Sequence, residues 1–294
     1  MKNPTNTAQS FRDKWHNNED LVFTQTTQED SDIFNWIVTR NGWKDADGIR
    51  AYLGSRTRIL DAGCGNGRVT SLLRKYSDPA SAEIVGLDLT AADVAARNLA
   101  NEENVHFVQH DLLDDLTSLG NFDFIYCQEV LHHTENPQQS FQNLVKCLQP
   151  GGEIAIYVYK LKAPIREFAD DYVRDKIQSM SYEEALQHCA EISQFGRALT
   201  ELKTKVTVPK VELLGIEAGE YDVQRLIYHF FLKCFWNSEL GSEANDVINY
   251  DWYHPQTATR HTLPEVRSWF GDARLTIVHE CVDPYGITIR GLRN

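Results

Sequence analysis

The stretch ILDAGCGNGRVTSLLRKY, residues 59–76, constrains this chain more than any other. A short apolar run ends at Asp61, glycines follow at 63, 65 and 67, and helical spacing begins at Arg68. A strand feeding a glycine-rich turn that opens a helix belongs to an open α/β sheet, whose ligand crevice lies at the carboxyl ends of the strands. Glycine permits the tight turn and lets a ligand approach bare backbone. The spacing is D-x-G-x-G-x-G. That is neither the lysine-bearing phosphate loop nor the dinucleotide pattern G-x-G-x-x-G. Asp88 ends the next apolar run, roughly 20 residues on, where an acidic side chain can accept the hydroxyls of a ribose. A nucleoside without phosphates fits this pattern, because nothing here supplies a strong anion clamp.

The same rhythm continues to about residue 160. AEIVGLDL, VHFVQHDL, FDFIYCQEVL and EIAIYVYK read as strands, and TAADVAARNLANE and NPQQSFQNLVKCL read as helices between them, with QPGG as a turn. Such alternation predicts parallel strands covered by helices on both faces. The rhythm breaks at residue 161, where long helical patterns follow that are too extended for a loop. The chain is therefore divided into an N-terminal helical cap (1–50), a core (51–160), a helical insertion serving as a lid (161–247), and a substrate loop with the last two strands (248–294). In the cap, SDIFNWIV predicts a helix with Ser31 as its cap and Asp32 in the first turn.

Composition narrows the function classes. The 294 residues carry a net charge of −13, which disfavours non-specific binding to nucleic acid. No apolar run is long enough to span a bilayer, and MKNPTNTAQSFRDKW lacks the apolar core of a secretory signal, so a cytoplasmic protein is expected. The six cysteines are scattered and form no C-x-x-C, so neither a disulfide frame nor a metal site is expected.

Across residues 57–160 these motifs resemble, in order, the class I S-adenosylmethionine-dependent methyltransferases. The resemblance implies a doubly wound, Rossmann-like α/β sheet of seven strands, the last antiparallel, with LTIVHEC and ITIRGL as candidates for the final pair. A simple hairpin at the sheet edge would read the same. It implies S-adenosylmethionine as cofactor, with Asp61, Gly63, Gly65 and Gly67 of ILDAGCGNG at the methionine end and Asp88, followed by Leu89, of GLDLT on the ribose. Asp111 and Leu112 of QHDLL would meet the adenine, and Gln128 and Val130 would line the cofactor.

Methyl transfer from a sulfonium needs alignment above all, and a base only where the acceptor must lose a proton. No fixed catalytic triad is expected. His133 and Tyr159 lie at the ends of the fourth and fifth strands, where the active site should open. Tyr253 and His254 fall in NYDWYHPQTATRH, a segment dense in aromatics and donors that reads as a loop lining a closed pocket. The expected partner is a small organic acceptor. Its identity, its reacting atom and whether the chain forms a homodimer are not legible. Use of the same cofactor for aminocarboxypropyl transfer or cyclisation, and a cofactor-binding scaffold without turnover, remain alternatives.

Overall fold

The computed structural model of the protein describes residues 6–294, so residues 1–5, where the expected N-terminal cap begins, lie outside the described residues. In chain order the elements are α1 (Asn6–Asn17), α2 (Phe23–Thr27), α3 (Asp32–Arg40), α4 (Ala46–Leu53), β1 (Arg58–Ala62), α5 (Arg68–Tyr76), β2 (Glu83–Asp88), α6 (Ala92–Asn98), β3 (Val105–Gln109), β4 (Phe122–Gln128), α7 (Pro137–Lys146) and β5 (Leu148–Tyr159). There follow α8 (Pro164–Ile177), α9 (Tyr182–Glu201), β6 (Lys205–Val208), β7 (Gly219–Asp222), α10 (Val223–Phe230), α11 (Ser242–Tyr253), α12 (Leu263–Asp272), β8 (Leu275–Val282) and β9 (Gly286–Arg293). They form two compact units. A sheet unit comprises Trp15–Lys160 and Thr257–Asn294, and a helical unit comprises the residues up to Lys14 with Leu161–Gln256.

The sheet unit is built on seven strands in the order β3-β2-β1-β4-β5-β9-β8. Strands β1 to β5 pair in parallel, and β9 runs antiparallel to both β5 and β8. Successive residues of a strand face opposite sides, which explains why the apolar runs of the core are continuous rather than alternating. Leu60, Val85, Ile125 and Ile154 pack on one face with Phe141 of α7 and Trp269 of α12. Ile59, Ile84, Phe124 and Ala155 pack on the other with Phe34 of α3, Ile49 of α4 and Leu72 of α5. Helix α3 starts as its sequence predicts, with the Phe34 N–H donating to Ser31 Oγ at 3.0 Å. QPGG does not end a strand. The pairing register jumps from Phe122↔Leu148 to Phe124↔Glu153, so this stretch bulges out within β5.

The helical unit contains α8 to α11 and a small antiparallel ribbon, β6 with β7, which the sequence did not reveal. It also corrects the reading of NYDWYHP as a loop. Val247, Tyr250 and Tyr253 recur at helical spacing, are buried, and lie on α11. His254 is the C-cap, still in right-handed helical backbone, and Pro255 follows, which has no N–H to continue the helical hydrogen bonding. The insertion therefore runs through Gln256 rather than stopping at residue 247.

Candidate functional site

The glycine turn joins β1 to α5. Gly63, Gly65 and Gly67 have φ of 85°, 55° and 86°, in the left-handed region that side chains disfavour. A β-carbon on Gly65 would fall 2.7 Å from the Trp15 indole, and one on Gly63 would fall 2.2 Å from Val130. The bareness of the turn, expected from a ligand's approach, is thus accounted for at these two positions by the chain's own packing.

Asp88, at the carboxyl end of β2, is tied to this turn. The Gly65 N–H donates to its Oδ2 at 2.9 Å, while the N–H groups of Thr90 and Ala91 donate to its Oδ1 at 2.8 and 2.9 Å. Backbone donors thus fix the carboxylate beside the turn, and the residue remains partly exposed. Leu89 beside it is 42% exposed. A carboxylate acceptor next to an apolar ledge suits the hydroxyls of a ribose and a flat base. Asp61 is different: it is buried, it accepts from Thr70 Oγ1 at 2.6 Å, and its pKa is pushed up to about 7, chiefly by burial. Asp111 is partly exposed and accepts the Leu113 N–H at 2.9 Å, and Leu112 behind it is buried in the core.

At the end of β4 the structure departs from the sequence reading. Gln128 is buried, and its amide exchanges hydrogen bonds with the amide of Asn41. The next residue, Glu129, adopts φ 67°, a strained backbone for a side chain of its size. Its carboxylate lies 3.2 Å from Arg68 and 3.9 Å from Arg40. The Arg40 guanidinium is buried, 3.7 Å from the Trp36 ring centroid and 4.6 Å from that of Tyr157. Arg40, Asn41 and Glu129 were missed: Arg40 and Asn41 reach the end of β4 from the end of α3, far away in the chain, and no local pattern marks Glu129 beside Gln128.

His132 is buried and Tyr159 nearly so, their ring centroids 3.6 Å apart. His133 is partly exposed, and its Nδ1 lies 2.8 Å from the Thr257 carbonyl oxygen. A carbonyl can only accept, so Nδ1 carries a proton. Tyr253 and His254 belong to the helical unit and are taken up there. The Tyr253 hydroxyl is 2.9 Å from Asp170 Oδ1 and 2.8 Å from the Lys233 carbonyl, and burial holds its pKa far above the ordinary value. His254 Nδ1 lies 2.7 and 2.8 Å from the hydroxyls of Ser10 and Tyr250, and Nε2 donates to the Met180 carbonyl at 3.1 Å. Burial lowers its pKa. Both side chains thus find their partners within the helical unit.

Residues 60–156 match a family described as the methyltransferase domain. The matched segment runs from β1 into β5, inside the sheet unit. The chain shares its fold with PKMT2 from Rickettsia typhi, at TM-score 0.54 and 16% identity over 84% of this chain and 52% of that one. A second structure of that protein, in complex with AdoHcy, matches at TM-score 0.52 and 14% identity, over 81% of this chain and 48% of that one. Among relatives in sequence, an uncharacterized protein from Synechococcus sp. is 39% identical over 109 residues, 35% of this chain and 26% of that protein. A ubiquinone biosynthesis O-methyltransferase from Coxiella burnetii is 29% identical over 99 residues, 33% of this chain and 41% of that protein. The chain thus spans between about a quarter and two fifths of the length of these relatives. Among the described residues no helix is long and apolar enough to cross a membrane, and no group of three or more His, Cys, Asp or Glu side chains could hold a metal ion.

Proposed function

We propose that the chain transfers the methyl group of S-adenosylmethionine to a small organic acceptor. The observation that carries this reading is the joint between Gly65 and Asp88 at the carboxyl ends of β1 and β2, inside the matched segment. In this reading Asp88 accepts the ribose hydroxyls, Leu89, Asp111 and Leu112 receive the adenine, and the turn from Gly63 to Gly67, with Asp61 and Val130, lies along the methionine end. Gln128 acts through Asn41, stiffening the end of β4. The bound cofactor supplies a methyl group already activated on a sulfonium. The chain's part is to bind, align and exclude water. His133, with its proton fixed on Nδ1, takes a proton from the acceptor at Nε2 where the acceptor needs to lose one, and Tyr159 packs beside it and limits the ring's motion. The helical unit, which lies outside the matched segment, carries acceptor recognition.

Calorimetry with S-adenosylhomocysteine tests the cofactor reading, which fails if the folded protein does not bind it. Product mass tests the reaction: a gain of one methylene unit supports methyl transfer, whereas a larger adduct or release of methylthioadenosine replaces it with the other uses of the cofactor. Binding without turnover of any acceptor would leave a scaffold.

A further inference from the structure

The helical unit holds a polar centre that nothing above uses. Arg225 and His229 stand four residues apart on α10, on one face of the helix. Arg225 lies 5.5 Å from the Tyr228 ring centroid, and Arg166 of α8 lies 4.6 Å from the same ring. The His229 pKa is pushed down to about 4, first by burial and then by the positive charges of Arg166, Arg225 and Lys162. The potential at this ring is therefore positive in a chain whose net charge is −13.

The nearby carboxylates are committed elsewhere. Asp170 accepts from Arg166 Nε, Trp252 Nε1, the Tyr253 hydroxyl and the Lys233 N–H. Asp222 caps α10 by accepting the Gln224 and Arg225 N–H groups, and Glu167 accepts the Lys162 N–H. Arg225 itself makes no ion pair among the described residues, and its Nη1 is buried without a hydrogen-bond partner. A guanidinium left without a counter-charge in a half-buried position is costly, and a ligand that supplies the charge recovers that cost. Its planar donor fork matches carboxylate and phosphate oxygens alike.

We propose that Arg225, with Arg166 over the same Tyr228 ring, forms an oxyanion subsite, and that the methyl acceptor is an acidic molecule bearing a carboxylate or phosphate group held there. The assignment to the acceptor rests on the helical unit's carrying acceptor recognition, whereas anion binding itself does not. The probes are inorganic phosphate and benzoate, titrated against sodium chloride at matched ionic strength. Calorimetry reads their affinity and thermal unfolding reads their stabilisation. At least one of the two should bind beyond chloride. Arg225→Gln should weaken it about ten-fold, as expected for one charge-assisted contact, while leaving affinity for S-adenosylhomocysteine unchanged. Arg225→Lys, which keeps the charge and loses the fork, should fall between. A preference for phosphate identifies a phosphate ester as the group, and a preference for benzoate a carboxylic acid. The proposal is overturned if neither probe exceeds chloride, or if Arg225→Gln binds them as the wild type does. Because S-adenosylhomocysteine is titrated separately, failure of the cofactor reading shows independently of this result.

Discussion

Each unit of the molecule is organised around one aspartate, and the two are used in opposite ways. Asp88 in the sheet unit is fixed by backbone donors from Gly65, Thr90 and Ala91 and stays partly exposed. Asp170 in the helical unit is 1% exposed and is saturated by an arginine, an indole, a phenol and a backbone N–H. Backbone donors arrive with the fold and cost no side-chain entropy, so a carboxylate held mainly by them can sit rigidly at a surface; Oδ1 of Asp88 also takes the Thr90 hydroxyl at 3.2 Å, whereas Oδ2 accepts a single bond, from Gly65. Side-chain donors must themselves be ordered. They are ordered here by converging on a group that has nothing left to offer a ligand. A carboxylate that looks equally well connected can thus be a binding group or a strut, and the nature of its donors tells which.

The contrast is broken most severely at Asp170. Asp170→Ala should destabilise the protein by about 3–5 kcal/mol, because Arg166 would be left buried without its partner and the Trp252 indole and the Lys233 N–H would lose theirs. A loss below about 1 kcal/mol in chemical denaturation would mean that the carboxylate is no strut. Next in size is the third aspartate, Asp61. Its folded-state pKa of about 7 lies above the ordinary 3.9 or so, so the folded chain keeps a proton that the unfolded chain has released. The stability this contributes is present below about pH 4, falls as pH rises towards 7 and levels off above. Relative to wild type, Asp61→Asn should remove a fall on the order of 2–4 kcal/mol between pH 4 and 8. Parallel pH profiles for the two proteins would show that burial does not hold the proton.

Asp88→Ala should weaken S-adenosylhomocysteine binding by roughly 1–3 kcal/mol, the loss of charge-assisted partners for the ribose. Unchanged affinity of the folded variant in calorimetry would make Asp88 a brace for the turn and no more. The smallest effect expected is for Tyr253→Phe. Removing one of the donors to Asp170 should cost about 1–2 kcal/mol of stability without changing cofactor affinity. If stability holds and only turnover on the true acceptor drops, Tyr253 faces the acceptor after all and the division into site and strut needs redrawing.

The sheet unit was legible because its determinants are local. ILDAGCGNG and GLDL each encode a strand, a turn and the residue at the strand's end within a few positions, and the alternation of strands and helices fixes which ends lie together. The helical unit was less so. Its α11 carries Asn, Asp and Tyr residues whose loop-like composition masked the spacing of Val247, Tyr250 and Tyr253. Whether His254 meets a ligand or Met180 depends on tertiary contacts that no spacing encodes. The same holds at β4, where Gln128 reads as a pocket residue until Asn41, far away in the chain, takes its amide.

Strand β9 enters between β5 and β8 and pairs with both. During synthesis the chain emerges at about 5–20 residues per second, and the Leu161–Gln256 part of the helical unit, with α12 and β8 after it, separates β5 from the residues that will cover its flank. Throughout that interval the nascent β5 presents a bare row of amides and carbonyls, the kind of edge that recruits strands from other chains. The helical unit can gather itself in the meantime, but β8 gains its place only when residues 286–293 arrive to bridge it to β5. The most adhesive surface this protein shows to the ribosome-crowded cell is therefore one that the finished molecule hides.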